Sequence, residues 1–267
     1  MPAFVDAAIT ETLQGISQPG FFFLAALAVL MVSISKSGFG GAMGSLSAPL
    51  LIMVTPPKLA LTILLPLFMV ADVIVCYTWR KHGHRMIIAA MIIGGVAGTA
   101  LGWVFFRWID DGTLRMLIGS LAIFTALRYG WNHYSPAPPP APIPLLPERI
   151  WKRAAGWCTA AGFASFVSLT GGIPAQIYLL PFGLTRQVFV GTLVWFFLCI
   201  NIAKVPFFFE LGLFNLNTLI VSSLLLPVLP LGIFLGRYLN QRLSDTLFYH
   251  LSHIFLLLMG LQLVIPT

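Results

Sequence analysis

Residues 33–44 read Ser-Ile-Ser-Lys-Ser-Gly-Phe-Gly-Gly-Ala-Met-Gly, a lysine and four glycines within an otherwise apolar stretch. A second interruption, residues 168–176, reads Ser-Leu-Thr-Gly-Gly-Ile-Pro-Ala-Gln, and its glycine pair follows that of the first by 131 residues. Polar, helix-breaking sequence is costly in lipid and is tolerated where it lines a cavity. Two such breaks at matching places in two halves of a chain therefore predict a transport site.

The composition is typical of a membrane protein. Of the 267 residues, 58% are hydrophobic and 9% are charged, whereas a soluble domain carries about 25% charged residues. The net charge of +7 comes mostly from basic residues in short loops between apolar segments. Such residues determine membrane orientation and do not indicate nucleic-acid binding here. The three cysteines have no metal-ligand spacing, and we expect no cofactor.

Apolar segments divide the chain into two similar halves. Six segments are long enough to cross a bilayer, which takes about 20 residues: 59–79, 86–106, 113–131, 188–209, 214–236 and 247–266. Four shorter segments flank the two breaks: 21–34, 42–55, 156–169 and 173–182. We therefore predict an all-α polytopic membrane protein. Each half has a pair of short broken or re-entrant helices followed by three full transmembrane helices.

An internal repeat relates the two halves. Gly40-Gly41 aligns with Gly171-Gly172. Three further positions recur at a spacing of 134 residues: Gly98, Gly102 and Asp111 recur as Gly232, Gly236 and Asp245. Seven prolines between Ser135 and Pro147 predict an extended linker, because proline fixes φ and lacks a backbone N–H. The predicted organisation is a first transmembrane repeat at 1–134, a cytoplasmic linker at 135–149 and a second repeat at 150–267.

Loop charges predict that the two repeats are inverted. The loop at 80–85 and the central stretch at 128–153 are strongly basic, which places them in the cytoplasm by the positive-inside rule. In the second half, the loop at 210–213 has no basic residue, whereas the loop at 237–245 has two. The basic loop has thus moved to the other connection, as an inverted repeat requires. If each short pair enters and returns, both termini lie outside the cytoplasm.

The first break contains Lys36, and a buried ammonium in a membrane is usually functional. Backbone N–H groups beside glycines and the positive end of a following helix would favour an anion at the same place. The predicted substrate-binding residues are Lys36, Ser37, Gly38, Gly40, Gly41, Gly44 and Ser45 in the first break, and Ser168, Thr170, Gly171, Gly172 and Gln176 in the second. In the alternative interpretation, Lys36 reaches an interface and the glycines only permit close helix packing.

Three further polar residues interrupt long apolar segments. Asp72 lies two-thirds along the segment 59–79, Asn201 is near its counterpart in the second half, and Lys204 follows one turn later. An intramembrane carboxylate serves as a proton carrier or as the partner of a buried lysine. Asp72 is therefore a candidate for proton coupling, and Asn201 and Lys204 are predicted to line the substrate path. Alternatively, Asp72 lies near the cytoplasmic end and is simply solvated.

Enzymatic chemistry is not predicted. The chain has no catalytic triad, phosphate-binding loop or zinc signature. His250 and His253 lie one turn apart on the last segment, a spacing that suits a metal ion. No acidic or thiol partner is near them in the sequence, so packed histidines are the favoured interpretation.

The two breaks resemble the motifs of the TauE/SafE family of sulfite exporters, within the toluenesulfonate uptake permease superfamily. The resemblance rests on residues 37–44 with Pro49 downstream and on residues 171–174 with Pro181 downstream, and it extends over about 20–265. It implies two homologous halves that move sulfur-containing anions such as sulfite, sulfonates or thiosulfate across the bacterial inner membrane.

The predicted function is that of a secondary transporter, an exporter of a small sulfur-containing anion. Its partners are that anion and the lipid bilayer, with protons as a coupling ion, and no nucleic acid. The substrate would bind near mid-membrane between the two breaks. The alternatives are an anion channel and an importer of another small organic anion.

Overall fold

A computed structural model describes residues 20–38, 46–134, 143–242 and 245–265. Within these ranges the chain is helical, with short connections and no strand. The helices are α1 (Phe21–Gly38), α2 (Ser47–Ile52), α3 (Pro57–Trp79), α4 (Arg85–Phe106), α5 (Asp111–Tyr134), α6 (Pro147–Ser168), α7 (Gly172–Leu179), α8 (Arg186–Glu210), α9 (Leu216–Leu225), α10 (Val228–Arg242) and α11 (Asp245–Val264). A 3₁₀ turn, Leu180–Phe182, follows α7.

Three of the described helices are long and apolar enough to cross a membrane: α3, α4 and the part of α8 from Gln187 to Glu210. They correspond to the predicted segments 59–79, 86–106 and 188–209. The predicted segment 214–236 differs, because it forms two helices, α9 and α10, bent by 43°. Pro227 lies at the bend, and proline both lacks a helical N–H and disfavours helix at the residue before it. Counting this bent pair as one crossing gives up to four spans. The predicted spans 113–131 and 247–266 lie in α5 and α11, whose described residues do not meet the same test of length and hydropathy.

The prediction of a short segment at 156–169 is wrong, since α6 has 22 residues and begins at Pro147. Its first two turns contain Glu148, Arg149, Lys152 and Arg153, which interrupt the apolar pattern without preventing a helix. Pro147 suits the first helical position, because a backbone N–H at that position would have no acceptor within the helix and its absence costs nothing. For the predicted segment 42–55, the described part contains α2 only.

The molecule has two ends, which the loop contacts define. At the first end, Trp103 Nε1 donates to Glu210 Oε2 at 2.6 Å, and Arg107 lies 3.5 Å from the same carboxylate. The start of α3 lies at this end too, where Lys58 is 3.8 Å from Asp111.

At the second end, the loop between α3 and α4 meets the start of α8. The His84 backbone N–H donates to Thr192 Oγ1 at 3.2 Å. Nearby along the chain, the backbone N–H of Ile143 donates to the carbonyl of Pro181 at 2.7 Å. Helices α3 and α4 therefore run in opposite directions between the two ends.

Helices α6 and α7 form a hairpin that enters from the second end and returns to it. Tyr178 Oη donates to the Ile150 carbonyl at 3.2 Å, and Arg153 Nη2 donates to the Ile177 carbonyl at 3.2 Å. The turn includes Leu169 at φ 57°, a left-handed conformation that closes α6. The break at 168–172 is thus the tip of this hairpin, in the interior of the protein.

Helix α1 packs in parallel on α10, and α6 packs in parallel on α4. Gly232 faces Leu30 and Ser33, and Gly236 faces Ile34 and Ser37 one turn further along. In the second pair, Gly98 faces Thr159 and Phe163, and Gly102 faces Phe166. The glycines that align between the halves therefore make equivalent contacts, and in each pair the missing side chains let two backbones approach.

Replacing Gly98 with alanine is expected to lower the free energy of unfolding by about 1–3 kcal/mol, the usual cost of overpacking. A Cβ at this position would lie 1.9 Å from the Thr159 carbonyl oxygen, which is backbone and has little freedom to move. Gly156→Ala is the matched control, because its Cβ would meet no atom within 4 Å, and alanine favours a helix by about 1 kcal/mol. Thermal unfolding of the purified protein measures both. Equal melting temperatures for the two variants would contradict the predicted packing.

Two further helix pairs are antiparallel. Helix α5 lies against α11, with Gly119 opposite Gly260 at one level and Tyr129 opposite His253 at another. Helix α3 crosses α8, since His84 lies beside Thr192 while Asp72 lies beside Asn201. This second crossing holds the candidate site.

Candidate functional site

Asp72 and Asn201 meet where α3 crosses α8. Each is the sixteenth residue of its helix, of 23 residues in α3 and 25 in α8. Asn201 Nδ2 donates to Asp72 Oδ2 at 2.6 Å. The contact therefore joins two side chains that lie equally far from the start of two long apolar helices, near the middle of each.

Lys36 reaches the other oxygen of the same carboxylate. Its Nζ lies 2.5 Å from Asp72 Oδ1 and also donates to the carbonyl of Phe68 at 3.3 Å. The ammonium lies 4.4 Å from the centroid of the Phe68 ring, which adds a cation–π contact. The lysine near the end of α1 is thus part of an internal ion pair with α3.

Lys204 lies on the opposite side of Asn201. Its Nζ donates to Asn201 Oδ1 at 2.9 Å, to the Ser165 carbonyl at 2.7 Å and to Ser165 Oγ at 2.8 Å. All three acceptors are neutral. Among the described residues, no carboxylate forms an ion pair with Lys204.

These five residues form one buried chain of contacts, here named the central network: Lys36, Asp72, Asn201, Lys204 and Ser165. The exposed fractions are 8% for Lys36, 3% for Asp72, 2% for Asn201 and 0% for Lys204. Two ammonium groups and one carboxylate give the network a formal net charge of +1. A buried charge without a partner is costly, so this excess of positive charge favours a negatively charged ligand.

The structure excludes the interpretation of Asp72 as a solvated residue near a membrane end, because Asp72 is buried and bonded on both oxygens. The alternative in which Lys36 extends to an interface is wrong for the same reason. The sequence reasoning did not identify Ser165. One weak indication of Ser165 was present in the sequence, because it lies one helical turn before the predicted residue Ser168 on α6.

The second break lies directly behind Ser165. A Cβ at Gly171 would be 2.7 Å from the Ser165 Cβ and 2.4 Å from the Ala161 carbonyl oxygen. Ser168 donates to the Ala164 carbonyl at 2.8 Å, and its hydroxyl is bonded to that of Thr170. The glycine therefore lets the hairpin tip pack against the residue that holds Lys204.

Of the remaining predicted residues, Gly172 is the first residue of α7, and Gln176 is half-buried on the same helix. Ser37 Oγ donates to the Ile34 carbonyl at 3.3 Å, and Gly38 is the last residue of α1. The predictions for Gly40, Gly41, Gly44 and Ser45 lie outside the described residues.

The histidines of α11 lie in an aromatic cluster. The His253 ring stacks on Tyr129 at a centroid distance of 4.0 Å, and the His250 ring lies 4.4 Å from that of His133. Across the described ranges, no group of three or more histidine, cysteine or acidic residues is arranged to hold a metal ion.

Ser165→Ala is expected to cost about 1.5–3 kcal/mol, because it removes one of three hydrogen bonds to a buried ammonium. Ser168→Ala is the comparison, since its hydroxyl bonds only neutral groups among those described and its loss costs about 0.5–1.5 kcal/mol. Chemical or thermal unfolding of both variants measures the difference. A larger loss for Ser168→Ala would contradict the assigned role of Ser165.

Apolar spanning helices around a buried, charged network define an integral, multi-pass membrane protein with a polar centre. The family of sulfite exporters named TauE/SafE matches residues 24–263, nearly the whole chain, and the chain belongs to this family of membrane transporters. Searches of curated proteins and of solved structures gave no significant match.

Proposed function

We propose that the protein is a secondary transporter that exports small sulfur-containing anions by alternating access, with the central network as the substrate site. The observation that carries the proposal is that two buried lysines share one network with a single buried carboxylate, which pairs with only one of them. A site of this kind gains electrostatic energy when an anion enters, and the low dielectric of the interior strengthens that gain. The choice of sulfur anions rests on the family to which the chain belongs.

An inverted repeat is part of the proposal, with α1–α5 equivalent to α6–α11 and the bent pair α9 and α10 together equivalent to α4. A two-fold axis in the membrane plane would make each helix antiparallel to its counterpart. The pairs α3 with α8 and α5 with α11 are antiparallel. The same axis would carry the pair α1 and α10 onto the pair α6 and α4. The two helices within each of these pairs are parallel.

The central network lies between the proposed repeats. Lys36 and Asp72 come from the first half, and Ser165, Asn201 and Lys204 come from the second. Lys204 is fully buried and has no contact with solvent in this conformation. Movement of one half against the other would open the site to each end in turn, as a carrier requires.

The second end of the molecule is the proposed cytoplasmic side. It has a cluster of basic residues, namely Arg80, Lys81, Arg85, Arg149, Lys152 and Arg153. At the first end, Lys58 and Arg107 each face a carboxylate. This asymmetry is what the positive-inside rule predicts for a protein of the bacterial inner membrane.

The proposal is tested by reconstitution in proteoliposomes and measurement of labelled sulfite, methanesulfonate and thiosulfate flux. We expect saturable flux of at least one of these anions, with competition among them, and no single-channel current in planar bilayers. Lys152→Met is the control for altered surface charge, because Lys152 is exposed and far along α6 from Ser165. Absence of flux for every sulfur anion, or current that does not saturate, would contradict the proposal.

A further inference from the structure

We propose that the central network selects its ligand by charge and takes a monovalent oxyanion, with Lys204 as the residue that pairs with it and Asn201 as the residue that sets the selectivity. The inference deepens the proposed function and depends on it in one respect only, that the ligand of the network is an anion. The chemical class is a small sulfur oxyanion with a single negative charge, such as a sulfonate or the hydrogen form of sulfite.

The two lysines of the network differ in their partners. Lys36 is neutralised by Asp72, so that pair contributes no net charge. The contacts of Lys204 are one carbonyl, one hydroxyl and one amide oxygen. Its ammonium is therefore the charge in the described part of the network that an added anion would neutralise.

Asn201 holds this arrangement in place by its position between the two charges. Its amide nitrogen donates to Asp72 and its amide oxygen accepts from Lys204. An aspartate at the same place would still accept from Lys204, but it would bring a second carboxylate against Asp72. The amide thus separates Lys204 from the carboxylate and leaves the network with a formal charge of +1.

Pseudo-symmetry supports the special role of Asn201. Asp72 and Asn201 are each the sixteenth residue of helices that the proposed repeat makes equivalent. Asp72 is bonded to Lys36 of the first half. Asn201, in contrast, accepts from Lys204, which also donates to Ser165. The first half therefore supplies an ion pair, and the second half supplies a neutral amide and a neutral hydroxyl. Lys204 donates to both, which places the unbalanced charge on the second half.

One negative charge matches this site and two do not. A monovalent anion brings the network to neutrality, whereas a divalent anion leaves a buried excess of negative charge beside Asp72, which is unfavourable. Two tetrahedral probes of similar shape separate these cases: methanesulfonate, which has one charge, and sulfate, which has two.

The experiment measures binding of both probes to the purified full-length protein at neutral pH. We expect the wild-type protein to bind methanesulfonate at least roughly tenfold more tightly than sulfate, as the charge difference predicts. Asn201→Asp should lose roughly tenfold or more in methanesulfonate affinity. The exchange variant Asp72→Asn with Asn201→Asp restores one carboxylate and a net charge of +1 but places that carboxylate against Lys204, so it should remain roughly tenfold or more weaker than wild type, and full recovery would contradict the assignment of Lys204. Equal binding of both probes by the wild-type protein would overturn the proposal, as would unchanged methanesulfonate affinity in Asn201→Asp.

Lys204→Met adds a readout that a structural role would not give. It removes the buried ammonium that has no carboxylate partner among the described residues, so the variant should lose methanesulfonate binding while it still unfolds cooperatively as a folded protein, with a loss of melting temperature that reflects only the missing hydrogen bonds. Retained binding in this variant would overturn the assignment of Lys204. The wild-type preference requires no variant at all, so the proposal is testable even if a substitution prevents folding. Sulfur-anion flux without a charge preference would refute this inference alone, whereas no flux of any sulfur anion would refute the proposed function.

Discussion

Asp72→Ala is expected to lower the free energy of unfolding by about 3–5 kcal/mol, the cost of leaving a buried charge without its partner. The substitution removes the carboxylate that neutralises Lys36 and accepts from Asn201. Two ammonium groups would then remain in a buried network without a described acidic group. Removal of one side chain therefore leaves Lys36 without its counter-charge and Asn201 without its acceptor, and we expect the largest stability loss of any single substitution in the network.

The double variant Lys36→Met with Asp72→Leu is the control. It replaces the whole ion pair with apolar side chains of similar volume, a change that is often neutral or stabilising. We expect its melting temperature to recover most of the loss, while transport does not recover because the network has lost its polar partners. Thermal unfolding in detergent and flux in proteoliposomes separate the two effects. A double variant as unstable as Asp72→Ala would show that the pair is not the source of the loss.

Asp72→Asn is expected to reduce proton-driven accumulation of substrate by roughly tenfold or more, while exchange of substrate across the membrane continues. The amide has nearly the shape of the carboxylate and still accepts from Lys36, but it cannot gain or lose a proton. It also raises the formal charge of the network from +1 to +2. The same variant should therefore bind sulfate better than the wild-type protein does.

The measurement uses proteoliposomes with an imposed pH gradient, and compares accumulation with counterflow in the absence of a gradient. Ser168→Ala is the matched control, because Ser168 lies one turn from the network and bonds only neutral groups among those described. Accumulation that persists in Asp72→Asn would contradict the prediction that this carboxylate carries the coupled proton.

Much of the candidate site was predictable from the sequence because charge is conspicuous in apolar segments. Lys36, Asp72, Asn201 and Lys204 were predicted, and the structure brings these four together. Ser165 was not predicted, since a serine in an apolar helix has many roles and bonds most often to its own backbone. The partners of each lysine depend on the crossing of α3 and α8, a tertiary feature that local sequence does not encode.

The sequence pattern identified which segments form long apolar helices more reliably than it identified where those helices begin and end. Hydropathy identified α3, α4 and α8 because their apolar windows are long and carry few charges. It failed for α6, whose charged first turns extend the helix beyond the apolar segment, and for the segment that Pro227 divides into α9 and α10. The division of the chain into repeats at 1–134 and 150–267 remains a prediction, as does the membrane orientation.

The most direct test of the account is to locate the anion. Crystals of the protein grown with selenite, the selenium counterpart of sulfite, would show the ligand by its anomalous scattering. We predict a single strong selenium peak between α3 and α8, within hydrogen-bonding distance of Lys204 Nζ, which disappears in Lys204→Met crystals grown in the same way. A peak elsewhere in the molecule, or one that survives that substitution, would contradict the claim that the central network is the anion site.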